Sequence, residues 1–394
     1  MEKRIYDKKT GIHYELQGDY YLPCLELPEQ PNEIQKEIDT YTVFYYFGLG
    51  NIILYRSKDV ESAKTIFSEG MSIAEQQFID KPSEWNQFAL SVCNGRMGKI
   101  MVESLKIEEA ERFYYRFLEL STDLYNRTRL IEVLRNVAIG YERIGWIQQS
   151  KKDYENALKQ YNKCLIESKK IYDKTKTIEA LRGVAITYER LGRVAEIQGD
   201  YFRSVEYFMH NYTLSNEIYN QMGALNSKRG LANSCHCLGD AFVGQKKYGD
   251  ALKWFRKDKQ ISLEIYTVTE MIDDIRDFAI CLDRLAFSYD KLGKTDEAEK
   301  LFKDSVDLYF ELAQRVKTTK LKNECIIEHI RIAEFYLIHR QNEKAAKAIQ
   351  VAQSIVNHTE IDDEILEYFL NIQASIGYDL FDDYGSLRNQ RNTR

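Results

Sequence analysis

Apolar and polar positions along this chain follow a helical beat, and the beat itself recurs. Leu231, Cys235, Leu238 and Phe242 keep to one helix face, Gly244 and Lys246-Lys247 interrupt, and a second stripe runs through Tyr248, Ala251, Leu252, Phe255, Ile261, Leu263 and Ile265. Such a unit predicts two helices joined by a short turn. Ala63, Ala110, Ala157, Ser204, Ala251, Ala298 and Ala345 each lie 47 residues after the one before. Four residues beyond each stands a large side chain (Phe67, Tyr114, Tyr161, Phe208, Phe255, Phe302, Ile349). Twelve before six of them stands a small one (Gly98, Gly145, Gly192, Gly239, Ala286, Ala333). A fixed period of this length predicts a solenoid, in which each unit buries its apolar face only against its neighbours.

The small residues have a packing reason. Two helices approach closely only where one lacks a bulky side chain, and the aromatic past the next anchor then fills the groove. Glycine costs about 1 kcal/mol against alanine within a helix, so four glycines in one phase mark a close contact. Turn residues recur between the two helices of a pair, as in Lys151-Lys152-Asp153, Gln198-Gly199-Asp200, Gly249-Asp250 and Gly293-Lys294-Thr295-Asp296. The aspartate in each is the expected N-cap, accepting from the unpaired amides of the first turn. All four prolines lie at or before residue 82, which leaves the rest free of the residue that breaks helices.

Tyr188, Leu191 and Gly192 followed by Ser204 and Phe208, Leu238-Gly239 and Phe242 followed by Ala251 and Phe255, and Leu285-Ala286 and Tyr289 followed by Ala298 and Phe302 resemble the signature of the tetratricopeptide repeat. The likeness spans residues 38 to 360. It departs from the family in lacking the closing proline and in a period of 47 where about 34 is usual. Both departures imply longer helices, as in long-repeat members found in bacterial regulators. The resemblance implies an all-α fold: a right-handed superhelical solenoid of antiparallel helix pairs. Seven pairs are expected over residues 34–360, with a capping helix and basic tail over 361–394.

Residues 1–33 differ. Three prolines, the alternation Ile12, Tyr14, Leu16, and Gln17-Gly18-Asp19 as a turn predict a short β-hairpin or an extended arm. Its first 28 residues resemble the start of small TnpV-type proteins of bacterial transposons, which implies a history in a mobile element. An arm packed along the first helices is the plainer reading.

Charge and composition narrow the function. A formal net charge of −6 argues against wholesale phosphate neutralisation, so nucleic acid is not an expected partner. The start of the chain carries no signal-peptide pattern, and the most apolar stretch, 43–55, is too short to span a bilayer. Seven scattered cysteines fit reduced thiols in a cytoplasmic protein. Cys235-His236-Cys237 invites a metal, but adjacent helical residues diverge by about 100° and no second cluster completes four ligands. The six histidines form no nucleophile–base pattern, and neither a phosphate loop nor HExxH occurs. Neither catalysis nor a cofactor is expected.

Arginines recur in phase. Arg135, Arg182, Arg229 and Arg276 are 47 apart on the first helices of their pairs; Arg143, Arg190, Arg284 and Arg331 form a second column, with Arg96 before them and Cys237 in the gap. Between the columns lie Glu142, Glu189, His236 and Asp283. In the resembling family this side of the first helices lines the concave groove that holds peptides. Two readings stay open. Arg135, Glu142, Arg182, Glu189, Arg229, Arg276 and Asp283 line a groove gripping a protein or peptide by its carboxylates and backbone; or they form a ladder of pairs that fixes repeat register. The first makes the chain a binding scaffold, or else a peptide-responsive sensor like the long-repeat regulators of Gram-positive bacteria, without its own DNA-binding domain.

Overall fold

The computed structural model describes residues 4–7, 12–17, 20–24, 32–54, 59–316, 318–356 and 361–376, with side chains from residue 42 onward. The chain forms two compact units, residues 1–147 and 148–394. The first opens with three antiparallel strands, β1 (Arg4–Asp7), β2 (Ile12–Gln17) and β3 (Tyr20–Cys24), in the order β1-β2-β3. Tyr6 faces His13, and Leu16 faces Tyr21, in the backbone register.

Every later element described is a helix. The first unit holds α1 (Asn32–Ile52), α2 (Val60–Asp80), α3 (Glu84–Glu103), α4 (Ile107–Thr128) and most of α5 (Ile131–Ser150). The second holds α6 (Tyr154–Thr175), α7 (Ile178–Ile197), α8 (Tyr201–Met222), α9 (Leu225–Gly244) and α10 (Tyr248–Thr269). It continues through α11 (Ile272–Asp290), α12 (Thr295–Arg315), α13 (Thr319–Ile338), α14 (Asn342–Val356) and α15 (Asp363–Ile376). Helix α15 packs on α13 and α14 and buries Phe369 completely. The expected basic tail lies outside the described residues.

The phase-locked anchors are the core. Ala63, Ala110, Ala157, Ser204, Ala251, Ala298 and Ala345 are all fully buried. The aromatic does fill the gap left by the small residue. A Cβ built on Gly98 would stand 2.6 Å from the Tyr114 ring, and one on Gly192 would stand 2.5 Å from Phe208. Gly239 against Phe255 is tighter still. The ring therefore lies flush on the backbone of the facing helix, and any side chain there would have to displace it.

Two columns of left-handed residues close the helices. Leu105, Lys152, Gly199, Lys246, Gly293 and Arg340 turn the chain between partners of a pair; Arg129, Lys176, Gly223 and Glu270 turn it between pairs. In the second column each amide donates to the carbonyl of a tyrosine four residues back (Tyr125, Tyr172, Tyr219, Tyr266). Only Gly199, Gly223 and Gly293 are glycine among these ten, so backbone hydrogen bonding holds most of them against a steric cost of about 1–2 kcal/mol.

The expected N-caps hold for two aspartates and fail for two. Asp153 accepts from the Asn156 amide at 3.2 Å and Asp200 from the Arg203 amide at 3.1 Å. Asp250 and Asp296 instead sit within the first turns of α10 and α12, whose cap positions are Lys247 and Lys294. Residues 153, 200, 247 and 294 are 47 apart, so the cap belongs to the period. Lysine there has no acceptor, and the acid inside the turn interacts with the helix dipole instead.

Candidate functional site

The first helices of the second unit, α7, α9, α11 and α13, carry the arginine columns. Arg229 is the most firmly held. Its Nε and Nη2 reach the two carboxylate oxygens of Asp274 on α11, both at 2.7 Å, and Nη1 donates to Asn226 at 2.8 Å. Thr269 donates to the same Asp274 at 2.6 Å. The guanidinium and hydroxyl hold the Asp274 carboxyl below its ordinary range. Arg276, one pair further on, makes a single contact of the same kind, its Nη2 lying 2.7 Å from Glu324 of α13. The second column points the other way along the chain: Arg284 lies 3.3 Å from Asp240 on α9, and Arg331 on α13 lies 3.1 Å from Asp283 on α11. These are ladder contacts between successive first helices.

Arg182 departs from this pattern. It is half-buried on α7, forms no ion pair among the described residues, and its Nη2 meets only the Met222 sulfur at 3.4 Å. Glu189, on the same helix, lies close enough to Arg193 to act on it electrostatically. In the first unit, Arg135 on α5 is half-buried and makes no ion pair among the described residues, while the Glu142 carboxylate lies 3.3 Å from Arg143 Nε. Of the seven residues singled out from the sequence, then, Arg229, Arg276 and Asp283 are engaged between helices, and Arg182 and Arg135 present guanidinium groups without an acid.

Beside Arg229 lies a cavity of about 220 Å³ whose polar lining includes Arg193, His236, Asp258, Asp274 and Asp277. His236 organises it. Its Nδ1 is 3.1 Å from Asp258 on α10 and its Nε2 is 3.3 Å from Asp240 on its own helix. Ser262 donates to the other Asp258 oxygen at 2.8 Å. Burial by itself would favour the neutral ring, but the two carboxylates outweigh it and push His236 up to about 9. The imidazolium thus bridges the two helices of one pair. Cys235 and Cys237, beside it in sequence, are fully buried, and burial raises both thiols, Cys235 to about 12. Among the described residues no three His, Cys, Asp or Glu side chains gather as a metal site.

Glu328 on α13 completes a second buried cluster. Arg331 Nη1 donates to it at 2.7 Å while also reaching Asp283. Burial and the neighbouring Asp283 carboxyl push Glu328 up to about 8, against the opposing effect of Arg331.

Sequence reasoning missed Asp240, Asp258, Asp274, Glu324 and Glu328. A signal existed for Asp258. Cys164, Asn211, Asp258 and Ser305 share one phase of the repeat. Asn211 and Ser305 each donate to a carbonyl of the paired first helix, at Ala185 (2.9 Å) and Ala279 (3.0 Å). An acid in that polar slot needs a cation opposite, and His236 is the cation.

Models of the tetratricopeptide repeat match residues 138–165 and 278–312. These segments are similar to tetratricopeptide repeats. Together they cover well under half the chain, and no curated protein matches it in sequence. Solved structures resemble it in fold. BtubC from P. vanneervenii is 15% identical with a TM-score of 0.52, over 64% of this chain and 92% of that one. The apo form of RapI is 16% identical with a TM-score of 0.52, over 80% and 98%. A signal-transduction ATPase with a tetratricopeptide repeat sensor from Pyrococcus horikoshii is 15% identical with a TM-score of 0.54, over 86% of this chain and 50% of that one. At such identities the likeness is one of fold. Among the described residues no helix is long and apolar enough to cross a membrane.

Proposed function

We propose that this protein is a non-enzymatic, cytoplasmic scaffold whose first helices hold a protein or peptide ligand, with Arg182 as the anchor for a ligand carboxylate. The observation that carries the reading is the contrast within one column. Arg229 and Arg276 are committed to acids of the next repeat, whereas Arg182 meets only a thioether. A half-buried guanidinium without an acid favours an anionic partner, because a fork of donors is suited to a carboxylate. Glu189, on the same helix as Arg182, extends that polar face, and in the first unit Arg135 and Glu142 occupy the equivalent places on α5. Arg229, Arg276 and Asp283 serve that face by holding successive helices in register, a role closer to the ladder. Neither nucleic acid nor membrane is part of the proposal, and no cofactor is required.

The reading is tested by capture from the source cell's lysate followed by mass spectrometry, with wild-type protein and Arg182→Glu. Loss of one charge-assisted contact and its replacement by repulsion is expected to weaken binding at least tenfold, since such contacts contribute about 1.5–3 kcal/mol. Equal capture by both proteins would remove Arg182 from the site. Reversing Arg229 is a poorer probe: it breaks the Asp274 clasp and perturbs the stack itself.

A peptide-responsive sensor is the second reading. It draws on the fold likeness to the Pyrococcus protein, which carries a tetratricopeptide repeat sensor. A ligand that changes amide exchange on helices remote from its own contacts would favour sensing over scaffolding.

A further inference from the structure

Asp283 on α11 and Glu328 on α13 are both buried, and both turn to a single nitrogen. Arg331 Nη1 lies 3.1 Å from Asp283 Oδ2 and 2.7 Å from Glu328 Oε1. One guanidinium does not neutralise two carboxylates in a desolvated seam. Glu328 Oε2 is also buried without a hydrogen-bond partner. Were the group ionised, that oxygen would be an acceptor with nothing to accept. Protonated, it becomes a donor, and the Asp283 carboxylate stands beside it. We propose that Asp283 and Glu328 share one proton at neutral pH and so form a pH-sensitive joint between α11 and α13, tight when the proton is held and loosened when it leaves to solvent.

The surroundings add one more cation, Arg284, which acts on both acids, and one more acid, Asp240. From α11, Arg284 lies beside the pair, but its Nε faces Asp240 of α9 at 3.3 Å, and Arg276 is spent on Glu324 of α13. From α12, Tyr309 contributes a buried ring whose hydroxyl burial keeps protonated. From α15, Tyr368 donates to Glu334 at 2.7 Å. Deprotonation therefore puts a second negative charge beside Asp283, with Arg331 shared between the two acids and Arg284 drawn towards Asp240. Burial raises both acids, and the hydrogen bond between them raises Glu328 while it lowers Asp283, which makes Glu328 the proton holder.

The sign of the effect follows. The folded state keeps a proton that the unfolded chain gives up near the ordinary glutamate range, so stability from this pair declines as pH rises from there to about 8 and is level above. His236, raised to about 9, adds a decline of its own between its ordinary range and that value. The wild-type slope alone thus does not isolate the joint, whereas a comparison with Glu328→Gln does. The amide donates to Asp283 at every pH and has nothing to lose.

The experiment uses the full chain. Infrared spectroscopy at about pH 7 is expected to show a protonated-carboxyl band that disappears by about pH 9 and is missing in Glu328→Gln. Hydrogen exchange, corrected for intrinsic rates, is expected to show amide protection on α11 and α13 falling at least severalfold over that range in wild type and holding steady in the variant. Should Glu328→Gln fold poorly, Asp283→Asn supplies the donor from the other side and is expected to abolish the same decline. The proposal is overturned if wild type lacks the band at neutral pH, or if either variant loses protection on α11 and α13 with pH as wild type does.

Discussion

Arg182 and Arg229 occupy the same place on equivalent helices, one period apart, and each touches a methionine sulfur, yet only Arg229 meets an acid. Arg229 is clasped by Asp274, which lies 45 residues further on. The same offset from Arg182 falls on Ser227, whose hydroxyl donates to the Ala224 carbonyl at 2.6 Å and offers no charge. From Arg276 the offset falls on Leu321, and Arg276 uses Glu324 in the next helical turn. A phase-locked arginine is therefore neither a ladder rung nor a ligand contact by virtue of its phase. What the following first helix presents decides it. Pairing stiffens the stack from α9 to α13, while the arginine on α7 keeps its donors open.

The largest expected effect tests the scaffold on which that contrast rests. Gly192→Leu or Gly239→Leu drives a side chain into a ring already at contact distance, and overpacking of this kind costs about 1–3 kcal/mol. A thermal midpoint within a degree of wild type would show that the rings do not hold the pair together. Next, Asp274→Asn removes the carboxylate from a half-buried guanidinium and is expected to cost about 1–3 kcal/mol, read by denaturant titration. Arg182→Ala, in contrast, should change stability by less than about 0.5 kcal/mol. Similar losses for the two would erase the difference between the paired and open positions.

A smaller effect sharpens the comparison by copying one region into the other. Ser227→Asp places on α9 the acid that α11 supplies through Asp274. It is expected to stabilise by less than about 1 kcal/mol while reducing ligand capture, because Arg182 acquires an internal partner. Capture unchanged alongside increased stability would mean that the ligand does not use Arg182. His236 provides a pH counterpart. Its folded-state value is raised above the ordinary range, so the stability from its carboxylate pairs is present below that range and is lost as pH rises through about 9. In His236→Gln that part of the alkaline decline should vanish from the melting profile.

Much of the fold was legible because the repeat makes one packing solution visible many times. The small residues, the aromatics that lie on them and the buried alanine column all follow from a period that any self-comparison reveals. The N-caps were less legible: Asp250 and Asp296 have the right chemistry, but the phase assigns the cap to Lys247 and Lys294. The second column of left-handed turns escaped notice because Arg129, Lys176 and Glu270 are not residue types associated with that backbone. Asp258 escaped too, since an acid on an amphipathic helix is ordinarily taken for a solvated position.

By itself the sequence determined that helices pair, how long they are, and where they touch, because those depend on side-chain volume and helical periodicity, which are local and repeat. Only the tertiary structure decided which charges meet. An ion pair joins residues about one period apart, and a shift of a single turn exchanges Asp274 for Asp277 or Leu321 for Glu324. The strength of an electrostatic contact also depends on burial and on every neighbouring charge, which are properties of the assembled seam. The proton between Asp283 and Glu328 belongs to that class. Two acids 45 residues apart reveal nothing of each other until α11 and α13 close around them.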